Sequence, residues 1–336
     1  MARKKGKRLS FKAIMKNRFD YDVDELEDYT DEQSPEIMED LINEGSLKSR
    51  VSVMDNVKGS KLIKLKTSSP SLQAASSCGW TPEGGIILTD KKLETVRVKI
   101  QEEYCNEDLN DTWAQIENAA GANNQDTVAP NFANTMIMYY QRRATELDEN
   151  LMMNGDTASG DANLAFYDGY AKLWGEDADV NVLYSAETVI DSSNGFDIAQ
   201  AFVAKIPVIV KRHAASVGLE VLVGYETAQA IINQIYNDKD YNAFIPTTET
   251  DGSISFVLPT TNVTFRSIQQ LDGTAEMFGV CYSYMFYGTD LESDQDGFQF
   301  VYNETDEKLR FSVKWRSGIQ YVYGEYFTRL RLTATS

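Results

Sequence analysis

Asp290, Glu292, Asp294 and Asp296 crowd four carboxylates into DLESDQDG (290–297), and oxygen ligands at such spacing are what a calcium ion takes. Counted from Glu292, Gly297 holds the sixth place that a helix-flanked calcium loop requires. Asn303 stands where the twelfth-place carboxylate belongs, and the flanks read as strands, so the segment reads as a solvated acidic loop. The single histidine, His213, excludes a three-His zinc site and the paired His of a zincin helix. It follows Lys211 and Arg212 at the end of a broken helical stretch, a place for a cation and not for a general base. Cys78, Cys105 and Cys281 are too scattered for a disulfide framework or a zinc knuckle. Cys105 also follows Glu-Glu-Tyr, an acidic setting that raises a thiol pKa and blunts the nucleophile. GWTPEGG and NGDTASGDAN contain neither a phosphate loop nor GxGxxG, and GxSxG is absent. A carboxylate pair for glycoside hydrolysis could be drawn from 51 acidic residues, but no spacing selects one. The sequence thus indicates no catalytic residue, no cofactor and no metal.

The cations that remain of interest are Lys91, Lys92, Arg97 and Lys99, and the elements around them suggest binding. In IILTDKKLETVRVKIQEEYC (86–105), Val96, Val98 and Ile100 alternate with Arg97, Lys99 and Gln101, the two-residue period of a strand with one wet face. Thr89-Asp90-Lys91-Lys92 supplies a plausible turn, giving a long charged β-ribbon over about 85–108. Such a ribbon is marginal alone and needs something to lie on.

Charge is segregated. The first 18 residues carry eight basic groups and no acid, and the net charge of the whole chain is −19. FDYDVDELEDYTDEQSPEIMEDLINE (19–44) follows without a Lys or Arg. So acidic a body repels nucleic acid, which argues against sequence-specific DNA or RNA reading. The opposed blocks suit an arm with partners of its own and suit a merely solvated tail equally well. At 42% hydrophobic and 25% charged, the 336 residues have a soluble globular composition, with no apolar run long enough to span a bilayer and no secretory signal pattern. Few cysteines point to synthesis in a reducing cytosol.

Helices are expected at Pro35–Glu44, from Asp111 through WAQIENAA to Gly121, and over about 131–153. The last places Phe132, Met136, Tyr139, Tyr140, Arg143, Leu147 and Leu151 at three- and four-residue spacings and stops before Gly155. Residues 1–60 lack a sustained core pattern apart from the first of these helices, and 67–85 and 155–175 read as loops. Further helices are expected at 197–205, broken at Pro207 and resuming to His213, and at 225–237, with LEVLVG (219–224) a buried strand. The remainder is mostly β, with Leu309, Phe311 and Val313 alternating against Arg310, Ser312 and Lys314. The class is α+β. A segregated arm, a projecting ribbon and a long helix are parts that seek neighbouring copies, and suggest a self-assembling structural protein.

The order of these segments over about 85–332 resembles the major capsid proteins of tailed bacteriophages, the Hong Kong ninety-seven capsid fold shared with encapsulins. IILTDKKLETVRVKIQEEYC resembles the family's extended loop, and the helix closing on LDENLMMNGD resembles its spine helix. FYDGYAKL resembles the segment that follows. DIAQAFVAKIP…LEVLVGYETAQAIINQI is similar to the helix–strand–helix of the axial domain, and SGIQYVYGEYFTRLRL to the closing strands. The resemblance implies an N-terminal arm and loop region over 1–84, the ribbon at 85–108, a peripheral domain of 109–194 and 291–336, and an axial domain of 195–290. It implies hexamers and pentamers of an icosahedral shell, with Lys91, Lys92, Arg97 and Lys99 as inter-subunit contacts. The implied partners are other virion proteins such as a portal and a scaffold, and packaged double-stranded DNA held without sequence-specific contacts. The implied location is the virion, after assembly in the host bacterial cytoplasm, with no membrane and no catalysis. Many relatives carry a scaffold-like segment of some hundred residues before the arm. With 60–80 residues ahead of the ribbon, scaffolding is expected from a separate protein or, in reduced form, from the basic head. Some relatives crosslink a ribbon Lys to a neighbour's Asn, but nothing selects Lys91, Lys92 or Lys99 for this. The alternatives are an encapsulin-like compartment, a tail or baseplate component, and a carboxylate-based hydrolase.

Overall fold

Trp174 sets the centre of the larger core. It is fully buried, stacked on Tyr170 (centroids 5.3 Å apart) and Phe327 (5.4 Å), with Phe278 tilted at 5.2 Å and Tyr321 edge-on at 6.2 Å. Such aromatic pairs add to the large apolar area each ring removes from water. The computed structural model of the chain describes residues 47–72, 83–105, 130–238, 245–249, 252–259, 261–290, 299–303 and 308–332. The helices expected at Pro35–Glu44 and near 111–121, Cys78, and the acidic loop beyond Asp290 fall outside them.

In chain order the elements are β1 (Ser52–Met54), β2 (Ser60–Pro70), β3 (Gly84–Glu94), β4 (Val96–Cys105), α1 (Pro130–Asn154), α2 (Tyr170–Glu176), β5 (Asn181–Ser185), α3 (Gly195–Lys205), α4 (Val208–Arg212), α5 (Ala214–Val217), β6 (Leu219–Val223), α6 (Tyr225–Asp238), β7 (Thr247–Thr248), β8 (Ile254–Val257), β9 (Thr264–Ser267), β10 (Met277–Cys281), β11 (Met285–Gly288), β12 (Gln299–Asn303), β13 (Lys308–Tyr321) and β14 (Thr328–Leu332). Among the described residues the mixture of helix and sheet is the expected α+β class.

The chain divides into two compact units. The larger comprises the described parts of 47–98, 145–290 and 315–332, and is organised by a seven-stranded sheet in the order β5-β14-β10-β6-β9-β8-β7. β5 runs parallel to β14 and β6 parallel to β9, and the other neighbours are antiparallel. β10 is buried along its whole length, as its apolar sequence dictates, and β6 is buried at every position but the half-buried Glu220. This sheet joins β5 and β14 to strands that all lie within 195–290. α3 and α6 pack together, and Phe196, Ala199, Phe202, Ala228, Ile231 and Ile235 on them are buried in one core. A Cβ on Gly195 would stand 3.0 Å from the Ile231 nitrogen, so the first turn of α3 needs glycine to approach α6. The buried Gln234 side chain accepts from Phe196 N–H at 2.5 Å and donates to Ser193 C=O at 2.6 Å, satisfying the α3 N-terminus from outside the helix.

Three local expectations are corrected. YAKLWGE, expected in a loop, is helix α2, because Tyr170 and Trp174 at i,i+4 share one buried face. AEMFGVCYSYMFYG, expected as continuous strand, is broken by a 3-10 turn at Tyr282–Tyr284, which sends β10 and β11 to different sheets. The buried Tyr282 drives that break, its hydroxyl donating to Glu220 Oε2 at 3.1 Å. Helix α1 fills the expected 131–153 and is about 37 Å long at 1.5 Å per residue. Its buried face, however, runs through Tyr140, Ala144, Asp148, Leu151 and Met152, while Arg143 is exposed.

The smaller unit holds the described parts of 99–144 and 299–314. There β12 pairs antiparallel with the first residues of β13, from Asn303↔Lys308 to Gln299↔Ser312. Phe311 and Val313 are buried between the exposed Arg310 and Lys314, the expected alternation. Tyr140 stacks on Phe311 at 4.2 Å, and Lys308 Nζ meets Glu103 at 2.7 Å. That contact, with Arg310, holds the Glu103 carboxyl below its usual range.

Candidate functional site

The ribbon is built from other residues than the sequence suggests. β3 pairs antiparallel with β2 in a ladder from Ser60↔Glu94 to Pro70↔Gly84, and Thr89–Lys92 lies within the strand instead of turning. β4 leaves this ribbon altogether and pairs with β13. The correction has a physical reason. The observed register sets Leu93 and Leu65 on one side, both buried, a pairing that a turn at 89–92 does not make.

Pairing fixes the two sides. One carries Lys61, Ile63, Leu65, Thr67, Ile87, Thr89, Lys91 and Leu93, and its root is covered by the chain's own body. The other carries Leu62, Lys64, Lys66, Ile86, Leu88, Asp90 and Lys92 and is exposed throughout. On it Leu62, Ile86 and Leu88 are 56%, 62% and 71% exposed. Ile87 on the opposite side is also open, at 64%. An isolated two-stranded ribbon with apolar residues in water on both sides is a part waiting for a surface.

Its root is held tightly. Gly288 and Gly318 are paired across β11 and β13, and the step from β3 to β4 crosses over them. A Cβ on Gly318 would come within 2.0 Å of the Glu94 carbonyl oxygen, so that position requires glycine, while one on Gly288 would stand 2.8 Å from Leu93 Cδ2 and displace that side-chain end. Thr95 then donates its hydroxyl to Val57 C=O at 2.9 Å and its N–H to Gly59 C=O at 2.8 Å. Gln320 Nε2 donates to Lys92 C=O at 2.8 Å, and Tyr323 OH to Lys66 C=O at 3.3 Å.

The four cations singled out by sequence do not converge. Lys91 is drawn inward, its Nζ 3.8 Å from Asp177 Oδ2 and 4.3 Å from the Tyr321 ring centroid. Lys92 pairs with Glu94 on the ribbon itself. Arg97 and Lys99 lie on the exposed side of β4, with Lys99 Nζ 2.6 Å from Gln101 Oε1. Sequence reasoning missed Leu62, Ile86, Ile87 and Leu88. The available signal was that SKLIKLKTSS and GGIILTDKKLE are two apolar-bearing strands flanking one Ser/Gly/Pro-rich stretch.

A second cluster seats the segment that leads into the ribbon. On α1, buried Asp148 accepts from Tyr287 OH at 2.8 Å and Trp315 Nε1 at 3.2 Å, with Lys48 Nζ at 3.9 Å. Its buried neighbour Glu149 accepts from the Lys48 backbone N–H at 2.9 Å and Gln270 Nε2 at 3.2 Å. Arg50 and Arg266 bracket Glu220 and Glu249 in a closed ring of four ion pairs, from 2.9 to 3.6 Å. Burial pushes the Glu149 carboxyl above its usual value, and the neighbouring Asp148 charge adds to the rise. The backbone N–H donors of Lys48 and Leu47, with the Lys48 ammonium, offset this only in part. The folded state therefore binds this proton more readily than the unfolded chain. Stability from this group is full below about pH 4.5 and is lost as pH rises toward the raised folded value. Glu149→Gln is expected to flatten that part of the profile, checked by denaturant midpoints from about pH 4 to 7. An unchanged slope would contradict the assignment.

Nothing in these clusters resembles a reaction centre. His213 is exposed at the end of α4, as a helix-end residue. Cys281 is buried, and burial pushes its thiol up to about 12, far from a reactive thiolate. No group of three metal-ligating side chains occurs among the described residues. No described helix is long and apolar enough to cross a membrane.

No family model matches the sequence, and no curated protein matches it. Solved structures do. The capsid of an empty GTA particle superposes with a TM-score of 0.56 at 14% identity, over 90% of this chain and 94% of that one. The mature capsid of bacteriophage PhiM1 gives 0.53 at 8% identity, over 90% and 92%. The procapsid of satellite phage P4, a structure that includes a size determination protein, gives 0.51 at 11% identity, over 87% and 96%.

The chain has the phage capsid fold. Identities of 8–14% mean that nearly every side chain differs while the capsid-fold path of the backbone is kept. A shared fold of this kind fixes the order and layering of elements, and any role must be argued from this chain's own surfaces.

Proposed function

We propose that this chain is the major capsid protein of a tailed double-stranded DNA bacteriophage, tiling as hexamers and pentamers into an icosahedral head. The observation that carries the reading is the ribbon of β2 and β3, with one side wholly in water and apolar residues at 86–88, on a chain with the capsid fold. Laid across an adjacent subunit, it buries Leu62, Ile86 and Leu88 and brings Lys64 and Lys66 to a body of strongly acidic composition. Each exposed ion pair contributes about 0–1 kcal/mol, so single contacts stay reversible during assembly. Repetition around a closed shell makes the sum sufficient.

In this reading α1 is the spine helix of a peripheral domain of 109–194 and 291–336, 195–290 is the axial domain, and of the arm and loop region expected over 1–84 the strand 60–70 belongs to the ribbon. The net charge of −19 suits a container whose packaged duplex is held without sequence-specific contact, since an acidic wall does not adhere to phosphate. Portal and scaffold proteins are the further partners, the host bacterial cytoplasm is the place of assembly and the virion is the destination. The chain performs no catalysis.

Negative-stain microscopy of the expressed protein tests this. Closed shells are expected; tubes or rings would indicate a tail component, and a persistent monomer would defeat the proposal. Shells filled with a protein cargo, in place of a genome, would indicate an encapsulin-like compartment. Charge reversal at Arg97 and Lys99, the exposed cations of β4, is expected to block shell closure while leaving the subunit folded. Normal shells from that double variant would remove them from the contact.

A further inference from the structure

We propose that Lys91, Asp177 and Tyr321 form an intrachain clamp that sets the angle at which the ribbon leaves its own subunit, making Lys91 a positioning residue for assembly. The inference rests on the shell reading above and adds how the ribbon is aimed.

Seven residues separate Lys91 from Gly84 at the far end of the described ladder, a reach of about 23 Å at 3.3 Å per residue. An angular error of about 10° at the root therefore moves the far end by about 4 Å, more than a packed contact tolerates. Beyond Lys66 and Leu88 the ribbon is exposed on both sides, so the contacts between the crossing and the Tyr323 hydroxyl on Lys66 C=O alone can fix its direction, and the Lys91 cluster is the charged one among them. The clamp sits there. The Lys91 ammonium lies over the Tyr321 ring and faces Asp177, and Tyr321 OH donates to Asp177 Oδ2 at 2.5 Å. Asp177 is itself fixed, accepting from the Asp179 N–H at 2.9 Å. Gly324 leaves room for it, since a Cβ there would stand 2.7 Å from Asp177 Oδ2. Three elements thus meet at one cation: β3, the end of α2 and the end of β13. The glycine pair Gly288 and Gly318 lets the ribbon cross the sheet, and the Lys91 cluster stops it from pivoting on that crossing.

The test uses the full chain with Cys78 and Cys105 replaced by Ser and spin labels at Leu88→Cys on the ribbon and Tyr184→Cys on the body, both exposed positions. In the unassembled subunit the label distance distribution is expected to be narrow. Lys91→Met should broaden it, Asp177→Asn should broaden it less, and Lys91→Arg should restore it. In the unlabelled chain Lys91→Met should lower the yield of closed shells at least tenfold, with Lys91→Arg recovering it. A Lys91→Met distribution as narrow as the parent's, or wild-type shell yield from that variant, would overturn the clamp. Failure of the parent chain to form shells would defeat the shell reading instead, while the distance measurement would still decide the clamp.

Discussion

Subunits carrying Ile86→Asp together with Leu88→Asp are expected to fold normally and to yield at least a hundredfold fewer sedimenting particles than the parent. Both side chains lie on the exposed side of the ribbon, 62% and 71% exposed, so the folded monomer loses almost no packing. Exposed substitutions of this kind change stability by about 0.5 kcal/mol or less, so the melting temperature should hardly move. In a shell the same side chains are expected to be covered. Burying a Leu or Ile stabilises by about 1.5–3 kcal/mol, and a carboxylate at the same place must instead be desolvated. Every ribbon in a particle incurs that change, so a modest defect per contact becomes a large defect in closure. Sedimentation and thermal unfolding of the same preparation check both halves. A variant that pelleted like the parent would show that the ribbon's apolar side is not an interface.

Asp148→Ala is expected to act in the opposite way, on folding. Its carboxylate is buried, with Tyr287 OH, Trp315 Nε1 and Lys48 gathered around it, and the Lys48 ammonium also lies 4.7 Å from the Tyr287 ring centroid. Truncation removes the carboxylate that these buried donors and the Lys48 ammonium share, and breaking such a group costs about 3–5 kcal/mol. Asp148→Asn keeps an acceptor oxygen and should cost about 1–2 kcal/mol. Urea midpoints of the purified subunits check the order parent, Asn, Ala. An Ala variant within about 1 kcal/mol of the parent would mean that water replaces the carboxylate at no cost.

Legibility in the sequence follows the range of the interactions. The helix at 131–153 and the alternation of β13 are readable because hydrogen bonds and side-chain faces repeat within a few residues. The partner of β3 is not, because nothing local distinguishes Thr89–Lys92 as a turn from Thr89–Lys92 as a strand paired with 62–65. The burial of Leu65 and Leu93 makes that choice. Lys91 reads as any surface cation does until Asp177 and Tyr321, distant in sequence, are brought beside it. Asp148 escapes notice because a carboxylate on an apolar helical face breaks the binary pattern, and only its three-dimensional donors explain its place. Gly318 reads as an ordinary strand glycine, although the chain crossing above it is what excludes a Cβ. The fold, by contrast, is shared with solved capsids at 8–14% identity because order of elements and layer pattern tolerate almost complete exchange of side chains.

The most direct measurement is a cryo-electron-microscopy reconstruction of particles formed by the purified chain. A closed icosahedral shell is expected, with the strands of 60–70 and 84–94 lying across a neighbouring subunit and Leu62, Ile86 and Leu88 covered there. A chain that remained monomeric at high concentration, or a shell in which both sides of that ribbon stood free in solvent, would contradict it.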